Sequence, residues 1–262
     1  MCSRFLKLTM ILLVCALSAF ARESLKVCAD PDNLPFSNRA QQGFDNKIAK
    51  LLAGDLDRNV EFVWQRAGRG FVREHLDKGV CDVLVGVPQQ FRPVLTTAPY
   101  YSSSYVFVTR KDQPEIASFD DPRLKSMKIG VQVLEDDYTP AARALSRRGL
   151  TPNIVAFEAV GDQAQDIVSA VARKKVDVAI VWGPLAGYYA ARAHTRLRLS
   201  AVEPALDPPM PPFRFSMSVG VQKKNPQLRD ALQKALQRDH ARIQAILRAY
   251  AVPEFPAQGG AR

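Results

Sequence analysis

The residues able to do chemistry sit in short polar loops that follow apolar runs. Arg92 is one of them, a guanidinium whose planar fork can hold a carboxylate through two parallel hydrogen bonds. A site that grips a zwitterion needs a carboxylate for the ammonium group as well. The corresponding place in the second half of the chain, after the run Asp177–Val181, reads Trp182-Gly183-Pro184. An ammonium enclosed there without a partner is costly, so free amino acids are disfavoured as ligands. Arg92 is explained equally by a surface or interlobe ion pair.

Other loops offer further candidates. Asn33 and Phe36 lie in Asp30-Pro31-Asp32-Asn33-Leu34-Pro35-Phe36, after the first apolar run. They suit the mouth of a cleft, although Asp, Asn and Pro also build tight loops with no ligand. Arg66, Arg69 and Phe71, in RAGRGF, are a cationic and aromatic wall or simply glycines before a helix. Gln132 ends a strand that leads into Glu135-Asp136-Asp137. Three acids suit a hard cation such as calcium or a lanthanide, but three chain neighbours seldom enclose an ion alone. Acids ahead of a helix also gain from its dipole. Asp136 and Asp137 are therefore read as partner-docking candidates, with no metal site and no cofactor expected. Tyr100, Tyr101 and Trp182 stand at strand ends, where aromatics serve pockets and interface centres. Tyr100 reads as core, Tyr101 stays a candidate, and Trp182 is the residue most expected to carry function. His75, His194 and His240 are isolated, and neither G-x-S-x-G nor metal-ligand spacing occurs, so no enzyme is expected.

The elements that must position these residues repeat. Leu25–Asp30 and Met127–Gln132 are short apolar strands with Lys second, each leading to a polar loop. Helical stretches follow, Asn46–Ala53 with Gly54 to stop it, and Ala141–Arg148 after Thr139-Pro140, a capping hydroxyl with proline next. Second strands (Val60–Trp64, Ile154–Phe157) and second helices (Phe71–Lys78, Ala164–Arg173) come next. The twin strands in CDVLVGVP and VDVAIVWGP close each half. This β-α-β-α-β order predicts an α/β protein of two doubly wound lobes, with ligands beyond the strand ends. Tyr105–Thr109 and Ser216–Val221 read as two crossover strands, and Asn225-Pro226 starts a C-terminal helical segment ended by Pro253. The expected division is 1–21 signal peptide, 22–108 first part of lobe one, 109–212 lobe two, and 213–262 the return to lobe one.

The N-terminus has a basic start (Arg4, Lys7), an apolar core of about ten residues and Ala19-Phe20-Ala21. It reads as a cleaved secretory signal rather than a membrane anchor. Cleavage leaves 34 basic and 26 acidic residues, a formal charge of +8 spread along the chain. With no basic and aromatic array, nucleic acid is a poor partner; an acidic partner or a merely soluble basic surface fits. Cys28 and Cys81 remain, either bridged or as two buried thiols.

Taken together, DVLVGVPQQFRPVLTTAPYYSSSYVFVTRKD and this arrangement resemble type II periplasmic solute-binding proteins, the bilobed receptors of ABC transporters. VCADPDNLPFSN, GFDNKIAKLLA, IGVQVLEDDYTPAARALSRRGL and VDVAIVWGPLAGYYA are similar, more narrowly, to the MxaJ and XoxJ family associated with quinoprotein dehydrogenases. That resemblance implies a periplasmic accessory protein that binds a PQQ-dependent alcohol (methanol) dehydrogenase and assists its maturation or activation. The dehydrogenase is the implied partner, its cytochrome c a second candidate, and a bridged Cys28–Cys81 is implied too. The alternative is an ABC-transporter receptor for a small ligand other than an amino acid. In amino-acid receptors a small hydroxyl donor precedes the arginine; here Pro88-Gln89-Gln90-Phe91 stands there instead, and the spacing from Gly86 is one residue short.

Overall fold

Asp82 and Asp177 open the two halves of the repeated phrase, and both do the same work. The Asp82 carboxylate accepts from the Lys26 backbone N–H at 2.9 Å, and Asp82 N–H donates back to Lys26 O at 2.8 Å. Asp177 and Lys128 repeat this pair at 2.8 and 2.9 Å. Each aspartate thereby satisfies backbone groups at the start of two neighbouring parallel strands and fixes their register. The shared text is thus a shared strand-start device.

The structure is a computed structural model that describes residues 22–256 except 67, 69, 135, 136, 159, 160 and 210, with backbone alone at 134, 137, 138 and 162. The expected signal segment 1–21 lies outside the described residues. In chain order the main elements are β1 (Ser24–Ala29), α1 (Phe44–Asp55), β2 (Asn59–Trp64), β3 (Val83–Pro88), β4 (Tyr101–Arg110), β5 (Ile129–Leu134) and α2 (Pro140–Arg147). There follow β6 (Ile154–Glu158), α3 (Asp166–Ala172), β7 (Val178–Trp182), α4 (Gly183–Ala190), β8 (Leu197–Ala201), β9 (Arg214–Val221), α5 (Pro226–Arg238) and α6 (His240–Ala249).

The main sheet path runs β6-β5-β7-β4-β9-β3-β1-β2. Within it, β2-β1-β3 are parallel and β9 lies antiparallel to β3. In the other half, β6-β5-β7 are parallel and β4 lies antiparallel to β7. Two like lobes therefore meet where β4 and β9 pair, Tyr101–Ser104 against Arg214–Met217. The expected two-lobed fold with two crossover strands is the observed one.

Each lobe is packed on both faces of its sheet, as near-continuous apolar parallel strands require. In lobe one, α1, α5 and α6 cover a core around Phe44, Ile48, Val83 and Leu232. The opposite face holds a smaller cluster around Cys28, Leu76, Cys81 and Leu84. Cys28 and Cys81 are joined in a disulfide with Cα atoms 5.5 Å apart. In lobe two, Phe107, Ile129 and Leu145 form one core and Val108, Ile167 and Leu185 the other.

Local expectations differ from the structure at several points. The expected helix Phe71–Lys78 is only a π-helical turn at Val72–Leu76; Gly70 at φ +81 and Gly79 at φ +72 confine it. Helix α1 runs through Gly54 to Asp55, with Leu56 as its C-cap. Thr139 does begin α2, but its hydroxyl makes no capping bond and donates to Gln132 O at 2.9 Å. Asn225 does cap α5, its Oδ1 accepting from Leu228 N–H at 3.1 Å. The C-terminal segment is two helices that meet at Asp239. Trp182-Gly183-Pro184 is also more than a strand end, because α4 begins at Gly183 with Pro184 beside it.

The chain after α6 ties the lobes together. Ser103 Oγ donates to Pro253 O at 2.6 Å, and Phe255 N–H donates to Ser102 O at 3.1 Å. Phe255 then packs against a lobe-two core. This passage explains two glycines of α4. A Cβ on Gly183 would stand 3.0 Å from Pro253 Cγ and 2.6 Å from Ser104 O of β4, and one on Gly187 would stand 1.9 Å from Ala251 O.

Candidate functional site

Beyond the ends of β1 and β3 lies a cavity of about 290 Å³. The loop after β1 supplies Asp30, Asn33 and Phe36; β3 supplies Leu84, Val85 and Gly86; Phe71 and Met217 complete the lobe-one wall. Trp182 reaches it from lobe two. The place is the one that doubly wound sheets favour for ligands. The same loop also bridges the lobes: Gly161 N–H donates to Asp32 O at 3.1 Å, and Tyr189 Oη donates to Leu34 O at 3.3 Å.

Trp182 is held from three sides. Its N–H donates to Gln132 Oε1 at 2.9 Å, and its ring lies 5.5 Å from Tyr105 and 5.9 Å from Phe215. Gln132 is 4 % exposed, so its amide is committed to this backbone bond behind the cavity. The tryptophan is therefore a positioned surface, with two aromatic partners limiting its rotamers.

Asp45, in the first turn of α1, is a lining residue that sequence reasoning missed. Burial pushes its carboxyl from the ordinary 3.8 up to about 8, the nearby Tyr100 hydroxyl offsetting part of the rise. Its Oδ1 and the Tyr100 and Tyr101 hydroxyl oxygens are buried without hydrogen-bond partners among the described groups. Burial likewise drives both tyrosines well above their ordinary range, with the Asp45 charge adding to it. Gly86, at φ +76, passes over this group; a Cβ there would sit 3.1 Å from Asp45 Oδ2. The available signal was the phrase GFD, where an acid follows two buried residues at a helix start.

Of the candidates named from sequence, Asn33, Phe36, Phe71 and Trp182 come together around the cavity. Gln132 supports Trp182 from behind. Tyr101 is 5 % exposed and belongs to the lobe-one core, with its ring 6.2 Å from Phe44. Arg66 and Arg92 are exposed and do not line the cavity. Arg69 and Asp136 lie outside the described residues, and Asp137 pairs through its backbone in a two-residue strand against Leu134. Among the described residues no group of three His, Cys, Asp or Glu stands close enough to hold a metal.

Comparison with known proteins fits this geometry. The model for bacterial extracellular solute-binding proteins, family 3, matches residues 25–252. The chain belongs to that family. This family 3 chain is also 31% identical over 252 residues to protein MoxJ of Paracoccus denitrificans, covering 89% of the chain and 90% of the relative. Solved structures agree. MxaJ from Methlophaga aminisulfidivorans MPT has TM-score 0.78 and 30% identity, covering 88% of the chain and all of that one (100%). The periplasmic binding protein XoxJ from Methylobacterium extorquens AM1 has TM-score 0.73 and 36% identity over 89% and 100%. The narrower group indicated by the motifs is thus the group to which this family 3 chain is similar over almost all its described length. No helix among the described residues is long and apolar enough to cross a membrane.

Proposed function

We propose that this protein is a non-catalytic periplasmic accessory protein that clamps a segment of a PQQ-dependent alcohol dehydrogenase, or of its folding intermediate, between the lobes. Export would use residues 1–21 as a cleaved signal. The observation that carries the reading is the wall of the cavity. Phe36, Phe71 and Trp182 surround it beside Asp30 and Asp45 of lobe one, and the described lining from lobe two is Trp182 rather than a carboxylate. Arg92 lies on the surface, away from that wall. Aromatic rings at a hinged cleft suit the apolar side chains of a protein segment better than a free amino acid. Similarity to the MoxJ, MxaJ and XoxJ proteins supports the choice of partner.

Co-purification from periplasm over a range of salt concentrations tests the proposal. The dehydrogenase is expected to be retained by wild type and weakened by Trp182→Ala. Its absence under every condition would overturn the reading.

A receptor for a small metabolite other than an amino acid is the second reading, favoured by the cavity's small size, about 290 Å³. A thermal-shift screen separates the two. Stabilisation by a defined metabolite at micromolar concentration, with no effect on dehydrogenase activity, would select transport.

A further inference from the structure

A second concavity, of about 270 Å³, lies in lobe two and shares no lining residue with the cleft cavity. It forms between α3 and the turn that follows α4. Its floor is apolar, from Val168, Ala172 and Ala193. Its rim is cationic from Arg173 and Arg192 and hydrogen-bonding from Ser169, His194 and Thr195, and no acidic residue is among its described lining.

Both arginines are available. Many of the described arginines are ion-paired, among them Arg58, Arg148, Arg214 and Arg238. Arg173 and Arg192 have no carboxylate partner among the described residues. Arg192 is held in place: its guanidinium lies 3.5 Å over the Tyr188 ring, and Nη1 donates to Tyr188 O at 2.9 Å. A guanidinium held over a ring keeps its remaining N–H groups in its own plane, a fork that matches an oxygen pair. The surrounding chain deepens the positive field. Residues 165–198, which span the whole lining, hold Arg173, Lys174, Lys175, Arg192, Arg196 and Arg198 against two acids, Asp166 and Asp177, and the Asp177 carboxylate accepts from Lys128 N–H.

We propose that this pocket is a second docking point, which takes an acidic side chain, with its apolar stem or an apolar neighbour, from an extended segment of a protein partner. The cationic rim selects a carboxylate. The apolar floor selects against a bare inorganic anion, which has nothing to bury there. A positive field of this kind also steers an acidic partner and raises the association rate. The inference goes beyond the cleft reading and survives if that reading fails, because the two sites are separate.

The test uses the mature protein and a fluorescein-labelled hexaglutamate peptide, followed by anisotropy at low salt. Arg173→Glu/Arg192→Glu is compared with Lys223→Glu/Lys224→Glu, which changes the net charge equally at another surface. The pocket variant is expected to weaken binding about tenfold and the control less than about twofold. Equal losses in both, or no binding by wild type, would overturn the proposal. So would inorganic phosphate that displaces the peptide at micromolar concentration, since the site would then be one for a free anion. All four positions are on the surface; should the double glutamate variant melt early, Arg173→Gln/Arg192→Gln is read by the same criteria.

Discussion

The ends of β3 and β7 began as one phrase and now do opposite things. Both strands start with an aspartate bonded to the first strand of its lobe. Both stop facing the cleft. At the end of β3, Gly86 leaves room, and the cavity opens over the buried Asp45 carboxyl. At the end of β7, space is filled: Trp182 projects an aromatic face, α4 starts at once, and the C-terminal tail packs against Gly183 and Gly187. Symmetry of the fold therefore fixes where a site lies, while the residues at the strand ends decide what each side presents. One lobe offers a hollow and the other a rigid ring.

That contrast can be broken from either side. The largest effect is expected on the filled side. Gly187→Ala would put a Cβ 1.9 Å from Ala251 O, so the tail must lift from α4. A loss of about 4 kcal/mol is expected in urea unfolding, against a change of under about 1 kcal/mol for the unobstructed Gly54→Ala. On the open side, Gly86→Ala forces an alanine to φ +76 and narrows the approach to Asp45. It is expected to cost about 2 kcal/mol and to reduce binding of any cleft occupant by calorimetry.

Asp45→Asn sharpens the comparison in small steps, one pH unit at a time. The folded state holds the Asp45 proton up to about pH 8, whereas the unfolded chain releases it near 3.8. Between these values the unfolded state binds fewer protons, so stability falls as pH rises. The contribution is complete below the lower value and lost on passing through the upper one. Wild type should therefore lose up to about 1 kcal/mol per pH unit relative to Asp45→Asn across this window, read from unfolding curves at each pH. Parallel curves for the two proteins would show that the carboxyl is not buried as described.

Much of the fold was legible because strand patterning and the repeat are local properties. Lys second in each first strand and Asp ahead of each twin strand could be read as a repeat, but their bonding, across 56 and 49 residues, is made only by the fold. The cleft could be placed from topology, and Asn33, Phe36, Phe71 and Trp182, which line the cavity, could be named because each stands at or beyond a strand end. Asp45 was missed because its importance comes from burial beside Tyr100 and Gly86, distant in sequence and joined only by the fold. The two readings of Arg92 could not be separated from sequence for a similar reason: a guanidinium near the right motif still has to point inward, and this one is exposed and does not line the cavity. The roles of Gly183 and Gly187 depend on a tail more than sixty residues away, which no local pattern reveals.

The central claim is that the cleft receives part of a dehydrogenase. Hydrogen exchange of the mature protein, with and without a purified PQQ-dependent methanol dehydrogenase, tests it most directly. The account predicts slower exchange in the loop after β1, residues 30–37, and around Trp182 when the dehydrogenase is added, with Trp182→Ala reducing that protection. Unchanged exchange in both stretches at dehydrogenase concentrations that saturate any binding would contradict it.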